Sequence, residues 1–171
     1  MKTTKDKILS IMCIAITLIG MITFSNLEVK ASDNELERFD GSYLTIKDSS
    51  KGTTHSEIST RGKYLMDGES SITKAGRGKI YVYASTTSNQ ESVDYISAII
   101  YVDRFNPKTD KWGQIDSWQV EDHNTYYVAT SKLLSVDSGY YYRVHASHFA
   151  GMKADYPYEE ATSLTDGIWI D

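Results

Sequence analysis

An all-β fold, an antiparallel β-sandwich of about seven to nine strands, is what this sequence predicts, on three observations. From Gly62 onward, glycine, proline, asparagine and aspartate interrupt the chain every 8 to 12 residues or so, the spacing of short strands and tight turns. No segment carries apolar residues at i, i+3, i+4 and i+7 over three turns. All 13 tyrosines and all three tryptophans lie beyond residue 31, an aromatic load that suits pleated, half-buried surfaces. A jelly roll is the alternative. Uneven strand lengths, and loops long enough for Greek-key returns at 49–60 and 151–161, favour the sandwich.

The first 31 residues read differently. Lys2, Lys5 and Lys7 precede an apolar run over 8–24, and Val29 and Ala31 stand at −3 and −1 of a small-residue cleavage site. Together these predict a helical signal peptide over 1–31, cut after Ala31, and hence secretion to the exterior or the cell surface. The alternative is an uncleaved anchor, which the shortness of the run and Ser10, Thr17, Gly20 and Thr23 within it oppose. After cleavage no stable membrane insertion is expected. Cys13 goes with the signal, so the remaining chain has no disulfide, no thiol chemistry and no cysteine-held metal. Removal of Lys2, Lys5, Lys7, Lys30, Asp6 and Glu28 leaves 14 basic and 21 acidic residues. No basic face is present, which argues against nucleic acid or an acidic membrane surface as partner.

A polar, acidic stretch over 32–40 predicts a flexible leader to a single domain over 41–171. Residues 41–48 alternate as a short strand, and 49–60 form a polar loop holding His55. Asp67 and Gly68 predict a two-residue hairpin turn, with a strand over 69–75 after it. Gly76, Arg77 and Gly78 make the next turn. In the strand over 79–87, Ile80, Val82 and Ala84 face one way and Tyr81 and Tyr83 the other. Residues 94–105 are apolar on both faces in their middle, as a central strand is. A hairpin loop over 106–110 returns into 111–121, where regular pairing would put Trp112, Gln114, Asp116 and Trp118 on one face. An aspartate between two tryptophans predicts a bulge between Gln114 and Trp118. Strands over 124–136 and 139–151, a loop over 151–161 and a last strand over 163–171 complete the chain.

The runs RGKYLMDGESSI, VDYISAIIYVDRF, KWGQIDSW, SGYYYRVHASHFAG and EATSLTDGIWID, in this order, resemble a family of small exported proteins of unknown function from clostridia and bacilli (the DUF6147 type). The resemblance covers the chain from about Arg61 onward. It implies export from a Gram-positive cell and an all-β fold. It brings no catalytic residue.

The run over 139–151, with three consecutive tyrosines, an arginine and two histidines, carries the candidate chemistry. Strand parity places Tyr140, Tyr142, Val144, Ala146 and His148 on one face and Tyr141, Arg143, His145, Ser147 and Phe149 on the other. The small apolar members mark the first set as core, so Tyr141, Arg143 and His145 make an outer aromatic–cationic row. If the strand over 79–87 shares that sheet, Tyr81 and Tyr83 extend it into a surface suited to stacking sugars or packing on protein. Cross-strand packing that only stabilises the sheet is the competing explanation. His145 and His148 at i, i+3 fall on opposite faces, which opposes a zinc site with Asp155, Glu159 or Glu160. Asp103, Asn106 and Asp110 lack the spacing of a calcium loop. No metal or other cofactor is expected. Nucleophile, zinc-protease and phosphate-loop motifs are missing, and no catalytic residue is assigned. The expectation is a non-catalytic binding module for an extracellular ligand, a glycan, cell-wall polymer or protein. A hydrolase would instead bring Asp116, His148 or Glu160 together, and a structural envelope component would present a long exposed edge strand.

Overall fold

Period-two alternation places apolar side chains on one face of each strand, and two such faces close on each other in this protein. The computed structural model describes residues 37–54 and 62–171. The signal segment, the cleavage after Ala31, the leader up to residue 36, and His55 lie outside the described residues. Among the described residues eleven strands run in chain order: β1 Arg38–Phe39, β2 Ser42–Thr45, β3 Ser49–Thr53, β4 Leu65–Lys74, β5 Lys79–Ser88, β6 Tyr95–Asn106, β7 Lys111–Asp122, β8 Tyr127–Ser135, β9 Tyr140–Gly151, β10 Glu159–Leu164 and β11 Gly167–Ile170. The smaller sheet has the order β3-β4-β5-β8. The larger has the order β1-β2-β11-β9-β6-β7, with β10 also on β9. Among the described residues the short β2–β11 pair alone is parallel. The result is the predicted all-β, antiparallel sandwich.

The core lies between the sheets. Ile72 of β4 and Ile80, Val82 and Ala84 of β5 meet Ala98, Ile100 and Val102 of β6 and Tyr142, Val144 and Ala146 of β9, all almost inaccessible to solvent. Each large aliphatic side chain so buried contributes about 1.5–3 kcal/mol. β9 is central: β6 covers one edge, while β11 and β10 share the other in succession. At the break between those two, Thr165 keeps the ladder intact. Its N–H donates to the Val144 carbonyl (2.9 Å), and its Oγ1 accepts from Val144 N–H (2.9 Å).

Four local expectations are corrected. Asp67 and Gly68 do not turn the chain; they lie inside β4. Met66 bulges there, since Leu65 pairs with Ser88 and Asp67 with Thr87. Gly68 is needed for space: a Cβ would fall 2.3 Å from Cγ of the His148 ring. Residues 49–53, read as loop, form edge strand β3, whose polar composition suits a strand half open to water. The last strand is two, β10 and β11, and β10 begins inside the predicted loop. The leader is ordered at its end, because Arg38 and Phe39 pair with β2 and Phe39 packs on Phe105 at 4.7 Å.

The predicted bulge is present in β7. Val102 pairs with Asp116 and Asp103 with Gln114, so Ile115 is the extra residue. It reverses the strand's parity, leaving Trp112 and Gln114 on the outer face and Asp116 and Trp118 on the inner one. Asp116 turns neither into the core nor freely to solvent. It meets Lys132 of β8 at 2.7 Å, across the open side of the sandwich, and Lys132 also lies 4.9 Å from the Trp118 ring. A charged pair pointing inward from two edge strands opposes edge-to-edge association.

The chain entering β4 is held by one carboxylate. Glu159 accepts hydrogen bonds from the backbone N–H groups of Lys63 (2.7 Å), Tyr64 (2.8 Å) and Leu65 (2.7 Å). Asp155 joins it by bonding the Tyr64 hydroxyl and Lys63 Nζ. Glu159→Ala leaves these three donors without their acceptor. It is expected to cost about 2–4 kcal/mol in urea unfolding and to speed amide exchange first at Tyr64 and Leu65.

Candidate binding face

The outer rows predicted from strand parity are real, but they lie on opposite sides of the molecule. Tyr81 and Tyr83 stand on β5 of the smaller sheet, Tyr141, Arg143 and His145 on β9 of the larger. They make no common surface. On the smaller sheet Tyr83 pairs hydroxyl to hydroxyl with Tyr127 of β8 at 2.8 Å, and that bond raises the Tyr127 pKa.

On the larger sheet the row divides by burial. Arg143, expected on the surface, is only 6% exposed. Its Nε donates to Asp103 Oδ2 (3.0 Å), Nη1 to the Asp40 carbonyl (2.8 Å) and to Ser42 Oγ (3.2 Å), and Nη2 to Asp40 Oδ2 (3.1 Å). Its guanidinium lies 4.5 Å from the Trp112 ring. Trp112 donates Nε1–H to the Phe39 carbonyl (3.0 Å) and packs so closely over Gly167 that a Cβ there would fall 2.5 Å from it. The β1–β2 turn and Trp112 therefore roof this end of the face, and Arg143 fastens the roof. Burial pushes the Asp103 carboxyl up, but the neighbouring His145 and Arg143 outweigh it and hold the group below the usual carboxylate range. Tyr141 is half-buried edge-on to Trp169 (5.0 Å). His145 stacks flat on Tyr101 (4.6 Å, 12°) with Nε2 3.5 Å from Asp103.

The same face opens at its other end. Tyr95 and Ile99 of β6, Gln119 of β7 and Phe149 of β9 all point outward there, and the segment after β9 folds over to form a wall. A 3-10 turn, Lys153–Asp155, begins that segment, with Lys153 N–H bound to Asp94 Oδ2 at 2.8 Å. A cis Tyr156–Pro157 bond follows. Tyr158 then stacks on Tyr95 (4.7 Å, 15°) and rests against Gly151, where a Cβ would fall 2.8 Å from Tyr158 Cδ1. Tyr156 stands edge-on to Tyr158 (5.4 Å, 84°) and is 74% exposed. Glu160, opposite Phe149, completes the lining of a groove of about 510 Å³. No family model, curated protein or solved structure matches this chain.

That geometry suits binding. Fixed tyrosine and phenylalanine faces, with an amide and carboxylates at their rim, are the elements that hold a polar ligand having apolar faces. The residues a hydrolase would need together are far apart in the fold. Asp116 is paired with Lys132 at the open side, and Glu160 lies on the outer face. His148 is fully buried between the sheets, where Thr86 Oγ1 bonds Nδ1 (2.9 Å) and Ser163 Oγ bonds Nε2 (2.8 Å). The two histidines of the H-x-x-H pair sit on opposite faces. Among the described residues no group of three or more His, Cys, Asp or Glu side chains is placed to hold a metal ion. Asp103, the first of the calcium candidates, is bound to Arg143.

Sequence reasoning did not single out Tyr95, Phe149, Tyr156 or Tyr158. A signal existed in the Tyr-Pro-Tyr run inside a loop, where exposed aromatics have no core to fill. Its partner on β6 is about 60 residues away in sequence and needed the fold.

Proposed function

We propose that this protein is an exported, non-catalytic binding module that holds a glycan of the cell envelope in the groove at the open end of its larger sheet. The observation that carries this is the pair of tyrosines from one loop, Tyr158 held flat on Tyr95 and Tyr156 standing 74% exposed beside it. Sugar rings present C–H faces that stack on such surfaces, while Gln119 and Glu160 are placed to take hydroxyl hydrogen bonds. β6 and β9, which floor the groove, are paired along both edges, so a ligand there rests on side chains and not on free backbone. The export reading rests on residues 1–31 of the sequence.

Tyr156→Ala removes an exposed ring and leaves the fold unstressed. Retention on immobilised cell-wall polysaccharide is expected to weaken about tenfold. Tyr81→Ala, on the opposite side of the molecule, is expected to leave retention unchanged. The reverse pattern would discard the groove and favour the Tyr81–Tyr83–Tyr127 surface.

A further inference from the structure

The groove's charge selects among glycans. Resting on the reading of this groove as a glycan site, we propose that its ligand is a polymer of amino sugars carrying free, protonated amines. Of the side chains that line the groove, Glu160 is the one that bears a formal charge, and it makes no ion pair with a described residue. A second carboxylate is held at the rim. Glu121 Oε2 accepts from Gln119 Nε2 (2.8 Å) and from the Tyr95 hydroxyl (3.2 Å), so its position is fixed relative to the ring that Tyr158 covers. Tyrosine faces carry negative electrostatic potential and attract cations. Faces and carboxylates thus act in the same sense, and each alone is weaker than the combination.

Around the groove the other ionisable groups are Asp94, Lys153 and His123, with Arg143 farther along the face. Asp94 is occupied by the backbone of Lys153, whose ammonium stem lies in the exposed turn. His123 packs on Tyr95 at 5.5 Å and donates Nδ1–H to the Asp94 carbonyl (2.8 Å). Arg143, the strong cation of the same face, is neutralised by Asp103 and Asp40 under the roof at the far end. An anionic polymer would meet repulsion here, and a fully N-acetylated one would offer Glu160 hydroxyl hydrogen bonds but no cation. A free amine supplies the cation and keeps the sugar ring's stacking faces.

The test compares glucosamine oligomers with N-acetylglucosamine oligomers of the same length by titration calorimetry of the folded protein, below the pKa of the sugar amine. The free-amine series is expected to bind about tenfold more tightly and to lose that advantage at high salt. Glu160→Gln is expected to erase the preference while leaving the weaker binding of the acetylated series. Tyr156→Ala is expected to weaken both. Equal affinity for the two series overturns the amine inference and leaves the glycan groove standing. Binding of neither series overturns both. Tighter binding of an oligolysine peptide than of either sugar replaces the inference with a basic-peptide site.

Discussion

Arg143→Ala is expected to destabilise the protein by about 3–5 kcal/mol, measured by urea unfolding at neutral pH. The side chains of Arg143 and Asp103 are 7% and 6% exposed, so removing Arg143 leaves the Asp103 carboxylate buried with His145, 3.5 Å away, as its remaining partner. The loss extends beyond the pair. Four hydrogen bonds from one guanidinium join β9 to β6 and to the β1–β2 turn, and Trp112 loses the cation beneath its ring. Lysine does not replace it, because a single ammonium cannot reach Asp103, Ser42 and both Asp40 acceptors at once. Arg143→Met combined with Asp103→Leu is expected to recover much of the loss, since no orphan charge remains. Against burial, His145 and Arg143 together lower the Asp103 pKa, so the stabilisation they bring is complete above the ordinary carboxylate value of 3.8 and fades as pH falls further. A fall in glycan retention with stability unchanged would instead make Arg143 a ligand-contacting residue.

The second large effect is a loss of stability on mild acidification. Burial drives the His148 imidazole down to about 4 from its ordinary 6.5, against a smaller upward pull from Asp67. Its nitrogens are already committed to Thr86 and Ser163, and Ser163 in turn bonds Ser70. Between pH 6.5 and about 4 the unfolded chain therefore binds a proton that the folded chain refuses, and stability falls as pH falls. The total is roughly 3 kcal/mol, complete near pH 4, with no further contribution below it. Asp103 and Asp155, whose pKa values are lowered, act only below the carboxylate range and do not share this window. Chemical denaturation across the pH series checks it. His148→Gln is expected to be less stable at neutral pH and to lose the slope; a slope kept in that variant would assign the effect elsewhere.

How much of this was legible in the sequence depends on the range of the interaction. Parity along a strand is local. The division of 139–151 into a buried set containing His148 and an outer set containing Arg143 could be read directly, as could the inward face of Ile80, Val82 and Ala84. The β7 bulge could be read too, because an aspartate between two tryptophans conflicts with regular alternation. Local signals failed where a distant side chain decided the outcome. Asp67 and Gly68 have the composition of a turn, yet the glycine serves to admit the His148 ring. Arg143 is on the outer face as parity requires, yet the β1–β2 turn and Trp112 cover it. Tyr81 and Tyr141 are both outward, yet their strands belong to different sheets.

The sequence by itself therefore determined the fold class and the facing of the strands over 79–87 and 139–151, because both follow from a two-residue period that a segment carries within itself. The tertiary structure alone decided which outer face is roofed and which is open. It brought Tyr95 beside Tyr156 and Tyr158, and it turned Arg143 from a surface cation into a buried fastening. Those outcomes depend on which strands pair and which loops cover them, and the free energy that selects them comes from contacts between residues tens of positions apart.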